Sequence, residues 1–345
     1  MTHSTLAFAI PDRDVLPEDL AYDPRTRRFF YSSVRRGRIY TGDGKEFAHA
    51  EWSIMALRAD PSRRLLWATT AWLPHCEACK PEDKDKTALL AFDLDTGALK
   101  QRLASPLPGM LGAVLWLAAG SKEPVRLDSP DEFPSPQTPA LSAGGKILYV
   151  SDYLRGIGAI RLADRHVEWL QPAGDIALSG IDGLYLSGDH FLAVQNGTTP
   201  ARVVRFSIDL HKQEVREANS SWLGEPTHGV LVDGDFYFLA NTGWGEFDQP
   251  REEKGGRGTS GIDGPPAAAE VSGTWSAVTL TNARPDTPAV PHPRSRRAVP
   301  HYIHAGVGAY YRDRSQRQIY RWAAALRPDP IRQQCAPADT GGRGV

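Results

Sequence analysis

The chain is poor in sulfur. It has three cysteines, Cys76, Cys79 and Cys335, and three methionines among 345 residues, so no disulfide framework carries the fold. No apolar run approaches the roughly 20 residues a helix needs to cross a bilayer, and no membrane partner is expected. Charge of either sign is not in excess: 40 basic residues face 41 acidic ones, for a net of −1. That balance argues against a general nucleic-acid binder. The opening MTHSTLAFAIPDRDV lacks a basic n-region and a long apolar h-region. A cytoplasmic location is therefore expected, with secretion or a periplasmic location the alternative if the N-terminus is incomplete. No glycine-rich phosphate loop follows a strand and opens a helix, and no nucleophile elbow is present. Aromatic residues are not interleaved with basic ones as a base-stacking surface requires.

Glycine (32) and proline (27) are plentiful and imply many turns. Charge is unevenly spread. Residues 251–345 carry 14 basic and 8 acidic side chains, net +6, against a net of −7 before them. The same stretch holds 21 Gly and Pro in 95 residues, in runs such as GGRGTSGIDGPPAAA. Two regions are therefore expected: an ordered domain over 1–250 and a low-order Gly/Pro/Arg-rich extension over 251–345, largely disordered. Within the extension only 309–326 has the spacing of a short amphipathic helix.

Repetition organises the first region. Five segments, 16–40, 53–72, 135–160, 179–206 and 225–244, share a small or polar start, a short apolar stretch, an Asp or Gly turn and a β-branched or aromatic stretch. The turns are DPRTR, DPSRR, SAGGK, LSGDH and VDGD, built from residues that supply tight-turn backbone angles. The pattern predicts strand, turn, strand. Aligned on the turns, Glu18, Met55, Gln137, Asp182 and His228 occupy one position, at intervals of 37, 82, 45 and 46 residues. The interval of 82 is close to two repeats, which predicts six units of propeller-blade length. The third unit is defective, because 105–130 lacks the turn-and-strand signature and AVLWLAA has a helix-compatible pattern. The fold class expected is all-β, a six-bladed propeller with one degenerate blade. Both irregular stretches break the repeat abruptly, as a slip of reading frame does; translating the coding DNA in the other frames checks this.

The segments LPEDLAYDP, PQ…LYVSDY, GIDGLYL…RVVRFSID and PTHGVLV…ANTGW resemble the senescence marker protein/gluconolactonase-like family of six-bladed propellers, and more loosely NHL-type propellers. The resemblance covers about residues 15–250, apart from 73–87 and 105–130. It implies hydrolysis of lactones or some phosphoesters with one axial divalent cation, Ca2+ foremost. A Glu of blade one, an Asn of blade four and an Asp of blade five hold that cation in the family, and the matching positions here are Glu18, Gln137 and Asp182. Gln137 stands where the family has Asn, and the family's Asn-Asp pair opening blade three has no counterpart.

The residues themselves support a ring of side chains at an axial channel. Glu18, Gln137 and Asp182 offer oxygens to a hard cation, and Asp182 or His228 suits a general base. Each has a structural alternative. Glu18 follows Pro17 at a strand start and Asp182 in IDG suits an Asx turn. Gln137 and Thr138 suit channel lining, and His228 suits a satisfied core histidine. Asp152, Asn196 and Asn241 follow second strands and suit turns. The run HCEAC at 75–79 is half a zinc site, a local disulfide or neither. Two functions follow: a metal-dependent hydrolase acting on a small-molecule substrate, or a non-catalytic propeller that binds a small ligand or a protein.

Overall fold

The computed structural model describes residues 4–12, 14–104, 113–118, 125–127, 132–247, 275–280, 303–308 and 321–327. The fold is an all-β propeller. Its helical content among the described residues is one 3-10 turn, Pro81–Asp83, and one four-residue helix, Trp244–Phe247. None of these is long and apolar enough to cross a membrane.

Four blades are each built from one continuous stretch, as antiparallel four-stranded sheets paired in chain order. Blade A comprises Leu20–Asp23, Arg28–Ser33, Arg38–Thr41 and Glu46–His49. Blade B comprises Ser53–Asp60, Leu65–Ala71, Thr87–Asp93 and Leu99–Ala104. Blade C comprises Pro136–Leu141, Ile147–Asp152, Gly156–Arg161 and Val167–Trp169. Blade D comprises Ile181–Ser187, His190–Gln195, Arg202–Ser207 and Gln213–Ala218. The turns form for local reasons. Asp23 accepts the backbone N–H of Arg25 and the Thr26 hydroxyl, and Asp60 accepts those of Ser62 and Arg63. In VDGD, Asp233 (φ 51°) and Gly234 (φ 93°) give the left-handed pair that a two-residue hairpin needs.

Burial follows position in the blade. Second strands such as ILYVSD and HFLAVQ are almost wholly buried, whereas the outermost strand Leu99–Ala104 is mostly exposed. The core lies in layers between neighbouring blades. Phe30, Ile39 and Ala48 of blade A pack on Ile54, Leu66 and Leu90 of blade B. Ala140 and Tyr149 of blade C pack on Leu184, Phe191 and Phe206 of blade D. Each blade buries one face on the last and the other on the next, so both faces of its inner strands are apolar.

Two further four-stranded sheets are composite. Sheet E joins Gly229–Val232 and Asp235–Leu239 to Trp275–Leu280 and the N-terminal strand Thr5–Ile10. Sheet F joins Ile303–Gly308, Arg321–Arg327, Ala113–Ala118 and Val125–Arg126, with one parallel pairing. The helix-compatible segment AVLWLAA is therefore strand over 113–118. The helix expected over 309–326 is corrected as well: 321–327 is strand, and 309–320 lie outside the described residues. An edge strand's unpaired backbone groups reward a further strand, and this outweighs a weak amphipathic pattern. The boundary placed at 250 also lies outside the described residues. Of the expected extension, the described parts are the three strands 275–280, 303–308 and 321–327.

Candidate functional site

The first strands carry a shared irregularity. The pairing register shifts between Ile54 and Leu57, between Pro136 and Pro139, and between Ile181 and Gly183. Met55, Gln137 and Asp182 thus sit in β-bulges, which turn side chains out of the regular alternation. In blade A, Glu18 and Asp19 lie just before the first strand, and the Asp19 backbone is tied to Ser32: its carbonyl accepts the Ser32 N–H and its N–H donates to Ser32 Oγ. In sheet E, His228 immediately precedes Gly229, and its carbonyl accepts the N–H of Leu239. These are the five positions aligned by sequence.

Three of them meet. Glu18, Asp182 and His228 come from three different sheets and offer ligand atoms within 4.8 Å of one another. The Nε2 of His228 is 3.7 Å from Glu18 Oε1 and 3.7 Å from Asp182 Oδ1. Burial is nearly complete, at 0% exposure for both acids and 2% for the imidazole. Charges this deep persist only when neighbours hold them, and each has such neighbours. Trp244 Nε1 donates to Glu18 Oε2 at 2.7 Å, and Asn196 Nδ2 donates to Asp182 Oδ2 at 2.7 Å. The Thr138 hydroxyl lies 3.1 Å from His228 Nδ1.

Gln137 precedes Thr138 in the chain, and no contact between it and this group is found among the described residues. Its amide nitrogen makes only long contacts to Ser135, at 3.3 and 3.4 Å, and its Oε1 is buried with no hydrogen bond among the described residues. Met55 is fully buried and supplies a backbone carbonyl to Ser32 Oγ. Its side chain has no polar atom to add.

Other candidates resolve into structural parts. Asp152 accepts the N–H groups of Ser135, Leu154 and Arg155 at 2.7–3.0 Å. Burial raises its pKa against the pull of those donors. It therefore fixes a turn. Asn196, which sequence reasoning placed in a turn, ties three elements: besides Asp182 it donates to the Pro226 carbonyl at 2.9 Å and accepts the Tyr153 hydroxyl at 3.1 Å. Trp244 was missed altogether, since its distance of 226 residues from Glu18 leaves no local signal. The HCEAC run is not half a zinc site here, because Cys76 and Cys79 are joined in a disulfide. Its loop reaches the residue that supports Glu18. His75 meets Trp244 edge-on at 5.1 Å, and Glu77 pairs with Arg35.

Two cavities are lined by residues adjoining the cluster's own. One of about 530 Å3 is lined by Asn196, Thr198, Glu225 and Asn241, so it shares Asn196 with the site. Another, of about 330 Å3, lies along the inner strands, walled by residues such as Leu184 and Leu231 and containing Arg58 and Tyr185. Arg58 pairs with buried Asp19 at 2.5 Å. Burial opposes the guanidinium charge, but Asp19 outweighs it and raises the pKa.

No protein-family model and no curated protein matches this sequence. Solved structures give distant likenesses. A chain of the nidogen/laminin complex is 15% identical, with a TM-score of 0.33 over 58% of this chain; the chain spans 62% of that one. The PQQ-bound aldose sugar dehydrogenase of Streptomyces coelicolor is 11% identical over 81% of this chain and 98% of its own, with a TM-score of 0.48. A luciferin-regenerating enzyme is 10% identical over 81% of this chain and 96% of its own, with a TM-score of 0.49. All three TM-scores fall below 0.5, so the chemistry here rests on the site's own geometry.

Proposed function

We propose that the protein is a metal-dependent hydrolase of lactones or related small esters, acting at one end of the axis of a six-bladed ring. One observation carries this: Glu18, Asp182 and His228 converge from three separate sheets to within 4.8 Å. The donor set fits a divalent cation. Two carboxylates and an imidazole face each other, and Gln137, the neighbour of Thr138 in the chain, has a buried Oε1 without a donor among the described residues. Glu18, Gln137 and Asp182 would hold the cation, with His228 in reach, and Ca2+ would complete its six to eight oxygens with water. When bound, such a cation polarises a substrate carbonyl and makes a water molecule more acidic. The six-blade count belongs to the same reading, supported by the interval of 82 residues and the two composite sheets.

The protein's own groups do the rest. Trp244 and Asn196 aim the two carboxylates, and Thr138 aims the imidazole. Asp182 or His228 takes the proton from the attacking water. The polar cavity that shares Asn196 is the approach for a small substrate. Turnover of a lactone panel with added divalent cations, lost in Asp182→Ala, is the expected result. Inert protein with no metal by elemental analysis would end the proposal. The near-complete burial of the cluster favours a second reading, a non-catalytic propeller that binds a small ligand. Thermal stabilisation by sugars or lactones without turnover would select it.

A further inference from the structure

We infer that the inner strands enclose a second binding site, separate from the carboxylate cluster, which takes a small apolar monocarboxylate on Arg58 and Tyr185. This goes beyond the proposed hydrolysis and does not depend on it.

The register of the strands places the site. The cavity of about 330 Å3 is lined by 20–22 of blade A, 58–59 of blade B, 139–141 of blade C, 184–186 of blade D and 229–231 of sheet E. Each set lies one to four residues further along the chain than the aligned position of its own sheet, Glu18, Met55, Gln137, Asp182 or His228. At about 3.3 Å per strand residue, Tyr185 lies about 10 Å along its strand from Asp182. Five sheets thus open on one space past the cluster. Its volume falls within the range of about 300–1,000 Å3 found for small-ligand sites.

The lining sets the chemistry. Leu20, Leu141, Leu184, Leu186 and Leu231 supply apolar walls, and Arg58 is the one charged side chain among the described lining residues. Arg58 donates through Nη1 to Asp19 Oδ2 at 2.5 Å and to the Leu57 carbonyl at 2.6 Å. Asp19 also accepts the N–H groups of Leu20 and Leu57, each at 2.8 Å, so it makes no further demand on the guanidinium. No hydrogen bond of regular geometry from Arg58 Nε or Nη2 is found among the described residues. Neither atom is among those buried without a partner, so both reach the open space. Together they form an edge of the guanidinium fork, which grips a carboxylate through two parallel bonds. The Tyr185 hydroxyl stands close to the same guanidinium and accepts the Gly229 N–H at 2.7 Å. Its own hydrogen remains to be given to an occupant. One guanidinium already paired to Asp19 suits a single negative charge, because a phosphate dianion would bring a second charge among leucines without a partner. The leucines suit a short hydrocarbon body.

The test uses the full chain freed of divalent ions by chelation, so that no carboxylate is held on a metal at the cluster. Hexanoate, hexanamide and hexyl phosphate are titrated by calorimetry. Hexanoate should bind, and hexanamide should bind about 10–100-fold more weakly, the worth of a hydrogen bond to a charged group. Arg58→Lys keeps a charge beside Asp19 but loses the fork, and should weaken hexanoate about 10-fold. Leu231→Trp fills the cavity without changing charge and should abolish binding. No hexanoate binding by the chelated wild type, or binding only after a divalent ion is added, overturns the inference. Hexanamide or hexyl phosphate binding as tightly as hexanoate overturns it too, as does unchanged affinity in either variant. Should Arg58→Lys fail to fold, the ligand comparison and Leu231→Trp decide.

Discussion

Replacing Asn196 by alanine should weaken the protein and the proposed cation site together. The side chain makes three hydrogen bonds, to Asp182 Oδ2 at 2.7 Å, the Pro226 carbonyl at 2.9 Å and the Tyr153 hydroxyl at 3.1 Å. The first is made to a carboxylate, worth about 1.5–3 kcal/mol; the other two are worth about 0.5–1.5 kcal/mol each. They share one side chain and do not simply add, so about 3 kcal/mol is expected. At roughly 2–4 °C per kcal/mol for a domain of this order of size, the melting temperature should fall by about 6–12 °C. Asp182 also loses the donor that orients it, which should lower divalent-cation affinity about 10–100-fold. Differential scanning calorimetry and isothermal titration on the same preparations read the two effects. A melting temperature within about 1 °C of wild type together with unaltered cation affinity would refute the reasoning, because it would mean that Asp182 is positioned without Asn196.

Gln137→Met should act with opposite signs: it removes a buried acceptor that has no donor among the described residues, so the metal-free protein melts no lower than wild type while cation-induced stabilisation shrinks, both visible in one thermal-shift series. Gly197→Ala should cost about 2–4 kcal/mol in urea unfolding, since the added carbon would lie 2.5 Å from Gly180 Cα and 2.7 Å from the Tyr153 ring; a neutral result would show that the backbone gives way freely. Burial raises the pKa of Asp23, but two 2.8 Å contacts from Arg64, with Thr26 and the Arg25 N–H, outweigh it and hold the carboxyl at about 2 instead of the ordinary 3.8. A pKa lowered by folding contributes stability above the unfolded value and loses it as pH falls from about 4 to about 2, here about 2 kcal/mol. Asp23→Asn should therefore flatten that part of the stability-against-pH curve, and an acid limb identical to wild type would count against the Arg64 pair.

The local grammar of the fold was legible because its causes are local. Asp23 and Asp60 make their turn bonds within three residues, and the positive φ of Asp233 and Gly234 is a property of the dipeptide. The meeting of Glu18, Asp182 and His228 follows the same logic, since equal spacing of like units implies equal places in a radial array. Sequence reasoning could not show what supports them. Thr138 reaches His228 across 90 residues, and Trp244 reaches Glu18 across 226. Nothing in the composition or periodicity around either residue marks such a partner. The composite sheets belong to the same class: Thr5–Ile10 pairs with Trp275–Leu280, and a helix-compatible stretch became strand where a sheet had backbone groups to offer. The sequence by itself determined the turns and the strands of the four continuous blades, because backbone angles and side-chain alternation are settled by near neighbours. Only the tertiary structure decided which oxygen faces which nitrogen, because hydrogen-bond direction between sheets depends on where the whole ring brings them.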